Sequence, residues 1–323
     1  MLRAFSIALG FCLVSLGVLA VANAQDYPAR PIKIVVGFGP GGLGDITARA
    51  VAQKMSDSFG KPVVIENMPG AGGMSAAASV ARAAPDGHTL LLVSGQNAAS
   101  PSLFKSMPYD WANDFVTVST IGLFDFIIVV GKDSPLKNVG DLIAAAKREP
   151  SRFNIGTISV GSVQNLSAHL FASMTGLQVT TVPFRTTGEI VTALLSDQVQ
   201  VGFETTPGVL GQVQSGNLRA LGVSSDKPLP FLPGAPAVAE SGVPGFRLVS
   251  WNGLVMPAKT PRDIVLRLNK EIGKALEAPD VRERFIGLGI TPRASTPEEL
   301  QRIYDADLVR WRQVIADAKI SQQ

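Results

Sequence analysis

The sequence predicts an α/β fold divided into two lobes, and three observations support this prediction. Short apolar runs alternate with longer segments of helical periodicity, which is typical of βαβ units around a sheet. At 323 residues the chain is too long for one comfortable hydrophobic core and suits two domains. Two long extended segments, 124–130 and 245–256, can each pass between the lobes. We therefore predict a hinge of two crossing segments, with the second lobe inserted in the first.

The first 24 residues have the features of a cleavable signal peptide. Arg3 precedes an apolar stretch over 4–21, and the Ala-Asn-Ala that follows fits the small-x-small rule for cleavage. A membrane anchor is the alternative, because the stretch approaches the roughly 20 residues that span a bilayer, but anchors rarely end in this way. The only cysteine, Cys12, lies inside this segment. We therefore expect a secreted, periplasmic chain that begins at Gln25 and has no disulfide, thiolate nucleophile or cysteine metal site.

The charge balance argues against nucleic acid as a partner. The formal net charge of +3 falls to +2 when Arg3 leaves with the signal peptide. Lysine and arginine form no cluster along the chain, whereas phosphate binding needs concentrated positive charge. Beyond the signal peptide no apolar run approaches the roughly 18 residues of a membrane helix, so we expect no further membrane span.

The apolar runs predict strands, and the periodic segments predict helices. Strands are expected near Ile32–Phe38, Pro62–Glu66, His88–Ser94, Phe126–Gly131, Phe153–Ile158, Val179–Phe184, Val199–Glu204 and Leu218–Ser224. The first helix carries one apolar stripe at helical spacing, formed by Ile46, Ala50, Val51, Met55 and Phe59. Towards the C-terminus, Thr260-Pro261 and the capping box from Thr296 to Glu299 each predict a helix start. We expect these two consecutive helices to close the chain.

The two crossings place the lobe boundaries near residues 125 and 250. We predict that 25–125 and 251–323 form the first lobe and that 126–250 form the second, each around a parallel or mixed sheet. The ligand then lies between the lobes, where strand ends and helix starts meet.

A glycine-rich turn follows the first strand and is the most informative segment. It runs from Gly37 to Gly44 and leads into the first helix. Unpaired backbone N–H groups at such a helix start carry the positive end of the dipole, so they hold an anion without a charged side chain. A carboxylate is the natural occupant, and the alternative is that the glycines only form a tight turn. We expect Asp45 to be the N-cap of the helix rather than a ligand contact.

The same turn also matches a dinucleotide-binding fingerprint. Gly37, Gly39 and Gly42 fit G-x-G-x-x-G, and Glu66 ends the next strand where a ribose-binding acid belongs. Pro40 is foreign to that fingerprint, and the predicted export takes the chain to a compartment where free nicotinamide cofactor is not expected.

No catalytic motif in the mature chain is complete. Its two histidines are His88, beside a predicted turn, and His169, within a predicted helix, and we expect packing or surface roles for both. Ser102 and Lys105 spell S-x-x-K, but the S-D-N and K-T-G partners are missing. We therefore expect no catalysis, no cofactor and no metal, and a dinucleotide-dependent oxidoreductase is the enzyme alternative.

Several longer motifs resemble one known family over essentially the whole mature chain. They are Phe38-Gly39-Pro40-Gly41-Gly42, Glu66-Asn67-Met68-Pro69-Gly70-Ala71-Gly72-Gly73, Pro85-Asp86-Gly87-His88, Pro108-Tyr109-Asp110 and Trp251-Asn252-Gly253. The sequence resembles the Bug family of periplasmic receptors, the substrate-binding components of tripartite tricarboxylate transporters. This resemblance implies a Venus-flytrap fold of the periplasmic-binding-protein type II. It also implies membrane partners, one small and one large subunit, which accept the ligand. We expect the receptor itself to be a monomer.

The resemblance, carried over by position, implies ligand contacts in both lobes. They are Phe38, Gly41, Gly42, Ser94, Gln96 and Asn97 in the first lobe and Gly161, Ser162, Arg185, Thr186 and Glu204 in the second. The chain departs from the family, which has a small residue, His, Gly and Asp at these positions, at Val160, Asn165, Thr186 and Glu204. Because the departures lie in the lobe expected to choose the ligand, the family does not fix the substrate.

Glu204 allows three interpretations. A buried acid repels a second carboxylate unless it is paired, and Arg185 is the nearby candidate for pairing. An unpaired Glu204 would instead receive an amino or hydroxyl group of the ligand. The third interpretation is an exposed residue outside the cleft, since acids are mostly exposed.

The sequence as a whole predicts a receptor that captures a small organic acid. A di- or tricarboxylate, an aromatic acid and an acidic amino acid all fit. A receptor that has lost its transporter and serves in sensing or signalling is the alternative.

Overall fold

The computed structural model describes residues 27–322. The predicted signal peptide and Cys12 lie outside the described residues. Within this range, no helix combines the length and the apolar character needed to cross a bilayer.

The described residues form nine strands and eleven α-helices. The strands are β1 (Ile32–Val36), β2 (Val63–Asn67), β3 (Thr89–Ser94), β4 (Phe115–Gly131), β5 (Asn154–Ile158), β6 (Thr180–Phe184), β7 (Val201–Thr205), β8 (Leu218–Val223) and β9 (Val249–Pro257). The helices are α1 (Leu43–Phe59), α2 (Met74–Ala81), α3 (Gly95–Leu103), α4 (Trp111–Asp114), α5 (Val139–Arg148), α6 (Val163–Thr175), α7 (Thr187–Leu195), α8 (Thr206–Gln214), α9 (Arg262–Glu277), α10 (Pro279–Gly287) and α11 (Pro297–Asp317).

The strands pair in the order β2-β1-β3-β9-β4-β7-β5-β6, and β8 pairs with β4. β1 runs parallel to β2 and β3, and β5 runs parallel to β6 and β7. β9 and β4 lie between these two groups in antiparallel pairings. The predicted mixed α/β architecture is therefore confirmed.

β4 is shared by both groups of strands. Its first part, as far as Asp125, pairs with β9, and from Phe126 onward it pairs with β7 and β8. The sequence predicted only the part from Phe126. The earlier part carries buried polar residues, and its hydrogen bonds include one from Thr117 Oγ1 to the carbonyl of Pro297, which lies far along the chain. The change of partner at Phe126 coincides with the lobe boundary that we propose.

The core follows the alternation of side chains along β1 and β3. Ile34 and Leu92 pack with Val51 and Met55 of α1 on one side of the sheet. Val35, Leu91 and Val93 belong to a second cluster, which includes residues of α2, α3 and α11. Of the predicted α1 stripe, Ile46 departs from the core and lines a cavity instead.

The C-terminal region contains one helix more than predicted. The capping box is confirmed, because Thr296 Oγ1 accepts from the N–H of Glu299 at 3.1 Å and Glu299 Oε2 accepts from the N–H of Thr296 at 2.9 Å. Thr260 was expected to cap α9, but Pro261 is the N-cap, and Thr260 Oγ1 donates to the carbonyl of Pro257. The short helix α10 lies between α9 and α11.

Asp125 lies where β4 changes partners, and its charge opposes folding. Burial and the neighbouring Asp226 raise the pKa of Asp125 to about 6, although Arg247 opposes the shift. Because the folded-state pKa exceeds the unfolded value of about 3.9, the protein loses stability as the pH rises through this window. We expect Asp125→Asn to raise the free energy of unfolding by about 1–2 kcal/mol near pH 8 and to change it little near pH 4.

Urea unfolding of the variant and the parent protein at the two pH values measures this difference. Asp133→Asn is the matched control, because the Asp133 side chain is 85% exposed. Equal stabilisation at both pH values would contradict the prediction.

Candidate functional site

A cavity of about 760 Å³ lies where several strands end and helices begin. Its wall includes the first turns of α1, α3, α6, α7 and α8, which follow β1, β3, β5, β6 and β7. The first two helices belong to one group of strands and the other three to the second group. This is the position at which the sequence predicted the ligand.

The glycine turn forms the wall on the side of α1. Gly41 adopts a φ of +78°, which favours glycine, and Gly42 is the N-cap of α1 without a side-chain hydrogen bond. The first backbone N–H groups of α1 have no partners within the helix, and Gly42, Leu43 and Gly44 all line the cavity.

Asp45 holds this turn in place but is not the N-cap that we predicted. It lies three residues after the N-cap Gly42, and its Oδ2 accepts from the N–H of Gly41 at 2.9 Å and from Arg49 Nε at 2.9 Å. Its Oδ1 accepts from Asn67 Nδ2 at 2.8 Å. Burial alone would raise the pKa of Asp45, but the hydrogen bonds from Arg49, Gly41 and Asn67 lower it to about 2.

A second glycine segment packs against the first. A Cβ built on Gly37 would lie 2.8 Å from the Cα of Gly73, so the two turns approach each other through backbone alone. Gly72, beside Gly73, lines the cavity. Gly72 is not among the site residues predicted from the sequence, although the repeated glycines at 70, 72 and 73 were the available signal.

The turn between β3 and α3 contributes side chains as well as backbone. Ser94 is the N-cap of α3, and its N–H donates to Oδ1 of Asn97, which completes a capping box. Ser94 and Gln96 line the cavity, whereas the buried Asn97 does not. Gln96 Nε2 donates to the carbonyl of Gly161 at 3.3 Å, which joins the turn before α3 to the turn before α6.

The turn before α6 is fixed by its own hydrogen bonds. Ser162 is the N-cap of α6 and lines the cavity. Gly161 does not line it, because its position is covered by Leu103 and its N–H donates to Asn165 Oδ1 at 3.0 Å. Asn165, one of the departures from the family, is buried and has a structural role at this turn.

Arg185 and Thr186 precede α7 and lie on the exposed surface rather than on the cavity wall. Thr186 is the N-cap of α7, and its Oγ1 accepts from the N–H of Glu189. Thr187, the next residue, lines the cavity in its place. The backbone N–H of Arg185 donates to Glu189 Oε2. Within residues 27–322 the Arg185 side chain forms no ion pair with Glu204, so the predicted pairing of these two residues is not found.

Glu204 is completely buried directly behind the cavity wall, so the interpretation as an exposed residue is wrong. Its Oε1 accepts from Thr187 Oγ1 at 3.0 Å, and its Oε2 accepts from the N–H of Thr205 at 3.0 Å and from Gln164 Nε2 at 3.4 Å. Burial raises the pKa of Glu204, although these three hydrogen bonds oppose the shift.

The cavity has no charged side chain on the wall that residues 27–322 form. The positive ends of five helix dipoles are therefore the main source of positive potential, and they favour an anion. No group of three or more His, Cys, Asp or Glu side chains is arranged for a metal ion within the described range. His88 and His169 do not line the cavity.

Apolar side chains form much of the remaining wall. They are Phe38, Leu43, Ile46, Leu103, Phe104, Phe124, Ile158, Val160, Val163, Pro207 and Leu288. Of these, only Phe38 was predicted. The others come from six separate stretches of the chain, so no local sequence pattern brings them together.

The sequence and the fold are similar to those of known proteins. A family model described as tripartite tricarboxylate transporter family receptor matches residues 47–320. Protein BugT of Bordetella pertussis is 35% identical over 311 residues, which cover 96% of this chain and 95% of that protein.

Two solved structures with bound acids share the fold. A protein of R. palustris with adipate has a TM-score of 0.83 and 32% identity, and the match covers 92% of this chain and 100% of that one. MatC from Rhodopseudomonas palustris with bound malate has a TM-score of 0.78 and 32% identity, and the match covers 90% of this chain and 100% of MatC. These similarities confirm the predicted two-lobed α/β fold.

Proposed function

The chain belongs to the tripartite tricarboxylate transporter receptor family, and from this premise we propose that it captures a small organic carboxylate in the periplasm for a membrane transporter. One observation carries the proposal. Five helix N-termini converge on one cavity whose wall, within residues 27–322, has no charged side chain. Such a site attracts an anion through backbone N–H groups and helix dipoles. Because the wall formed by residues 27–322 carries no charged side chain, the neutral part of the ligand can bind there without displacing water from a charge.

The related proteins support a carboxylate as the ligand class. One of the similar structures holds adipate and another holds malate, and both compounds are carboxylates. The candidates for this chain are di- and tricarboxylates, aromatic acids and acidic amino acids. The large apolar part of the wall suits a ligand with an apolar body.

We propose that the receptor is exported by the predicted signal peptide, is monomeric and passes its ligand to one small and one large membrane subunit. It uses no cofactor and catalyses no reaction. A role in sensing without a transporter is the alternative, and adjacent genes for the two membrane subunits would favour transport.

A thermal-shift screen of residues 25–323 tests the proposal. The panel contains mono-, di- and tricarboxylates, aromatic acids, amino acids and nicotinamide cofactors. A ligand at 100 times its Kd adds about 2.7 kcal/mol to the free energy of unfolding, which for a chain of this size raises the Tm by about 5 °C. We expect this increase with one class of carboxylate. Stabilisation by the nicotinamide cofactors alone would contradict the proposal and favour the dinucleotide alternative.

A further inference from the structure

Glu204 is completely buried and has no cationic partner among residues 27–322. Its carboxylate accepts three hydrogen bonds, from Thr187, Thr205 and Gln164, and none of these donors carries a charge. No lysine or arginine of the described chain lies within ion-pair distance of it. A buried carboxylate without a cation exerts its charge on whatever enters the space beside it.

That space is the ligand cavity. Gln164, Thr187, Thr205 and Gly208 all line the cavity. A Cβ at Gly208 would lie 3.3 Å from Glu204 Oε2. Only one layer of atoms therefore separates the Glu204 carboxylate from a ligand that contacts this part of the wall.

The two sides of the cavity differ in whether the buried acid at the helix starts has a counter-ion. On the side of α1, the buried Asp45 is neutralised by Arg49 at 2.9 Å, so the N–H groups of the turn keep their attraction for an anion. On the side of α7 and α8, Glu204 itself accepts from Thr205, the N-cap of α8, and from Thr187, the first residue of α7. The protein thus places its own anion where a second ligand carboxylate would otherwise bind.

The hydrogen bonds of Glu204 also determine which hydrogen-bonding groups of the wall remain free for a ligand. Thr187 donates its hydroxyl hydrogen to Glu204, so the lone pairs of Thr187 Oγ1 remain for a ligand donor. Gln164 uses one N–H of its amide on Glu204, and its carbonyl oxygen remains as a further acceptor. This part of the wall therefore suits a hydroxyl or ammonium group better than a carboxylate.

We propose that Glu204 makes this receptor select an acid with one carboxylate, an apolar body and a hydroxyl or amino group at the other end, and reject the dicarboxylate of equal length. Glu204 acts through Thr187 and Gln164 and is a positioning and selectivity residue rather than a direct ligand contact. The inference rests on the proposed function as a carboxylate receptor.

Matched ligand pairs test the selectivity by calorimetry. The pairs are 6-hydroxyhexanoate against adipate, 6-aminohexanoate against adipate, and 4-hydroxybenzoate against terephthalate. We expect the best-bound compound with a terminal hydroxyl or amino group to exceed its dicarboxylate partner by about 10- to 100-fold in affinity, because Glu204 repels a second ligand carboxylate across the cavity wall. In Glu204→Gln, which keeps the size of the side chain, we expect this ratio to fall to about threefold or less.

Two further variants separate selectivity from general damage. Glu240→Gln removes the same charge at an exposed position and should leave the ratio unchanged. Thr187→Val keeps the shape of Thr187 but removes its acceptor, so it should weaken the hydroxy acid about tenfold more than it weakens plain hexanoate. Thr187→Val also keeps the test decisive if Glu204→Gln does not fold.

The outcomes distinguish this inference from the proposed function. Equal or tighter binding of dicarboxylates by the parent protein would overturn the inference and leave the carboxylate receptor intact. An unchanged ratio in Glu204→Gln would overturn it as well, because the charge of Glu204 would then have no influence. Failure of every carboxylate to bind would overturn the proposed function itself, and the inference with it.

Discussion

Gly37→Ala is expected to weaken carboxylate binding by about 5- to 100-fold and to lower the free energy of unfolding by about 1–3 kcal/mol. The added Cβ would lie 2.8 Å from the Cα of Gly73, and a backbone atom cannot rotate away as a side-chain end can. The two glycine turns must therefore separate. Since Phe38 and Gly42 on one turn and Gly72 on the other line the cavity, the separation changes the anion site directly.

Gly39→Ala is the matched control for this substitution. Gly39 belongs to the same turn, but a Cβ there would have no heavy atom within 4 Å. Calorimetric titration with the ligand from the thermal-shift screen, together with urea unfolding, measures both effects. Equal losses in Gly37→Ala and Gly39→Ala would show that any side chain in the turn is harmful and would contradict the role of the contact with Gly73.

The strands were largely predictable because their signal is local. Each predicted apolar run coincides with a strand or, at Phe126–Gly131, with the second half of β4. The first half of β4 was missed because its buried Thr117, Ser119 and Thr120 resemble a loop in sequence. Their hydrogen-bond partners lie at residues 293–297, about 175 residues further along the chain.

Helix starts were predicted less accurately than strands, because a cap is decided by a single residue. Thr260 and Asp45 both have suitable side chains, yet Pro261 and Gly42 are the N-caps. Asp45 is better satisfied by reaching back to Gly41 and across to Asn67. The sequence alone does not show that such hydrogen-bond partners compete with the helix N-terminus for the side chain.

The predicted contacts coincide with the cavity wall most often at the junction between a strand and the following helix. Phe38, Gly41, Gly42, Ser94, Gln96 and Ser162 all line the cavity, and each lies at such a junction. In the second group of strands the positions are less accurate, because a shift of one residue at a helix start turns a side chain by about 100°. Thr187 rather than Thr186 therefore lies on the wall.

The structure also changes the meaning of the acids near the site. From the sequence alone, Asp45 was expected to be a helix N-cap, and pairing with Arg185 was one interpretation of Glu204. In the fold, both acids lie behind the wall at helix starts, and Asp45 has Arg49 as a counter-ion while Glu204 has only neutral donors. The difference assigns opposite roles to two similar groups, since one preserves an anion site and the other opposes a second anion.

Asp45→Asn is expected to lower the free energy of unfolding by about 2 kcal/mol at neutral pH. The pKa of Asp45 is lowered to about 2 in the folded protein, from an ordinary value of 3.8. The stabilisation by the ionised group is therefore complete above the unfolded value and is lost as the pH falls through that of the folded state. Urea unfolding should show a large difference between variant and parent near pH 7 and little difference near pH 2, and Asp57→Asn on the exposed side of α1 is the control.

The effect of Asp45→Asn on ligand binding separates charge from position. If the charge of Asp45 dominated, its removal would strengthen the binding of an anion at the start of α1. We expect the opposite, a loss of about tenfold in affinity, because the ion pair with Arg49 already offsets the charge while the hydrogen bonds to Gly41 and Asn67 hold the turn. Titration of the carboxylate ligand at neutral pH measures the sign, and tighter binding by the variant would show that the carboxylate of Asp45 repels the ligand instead of positioning its site.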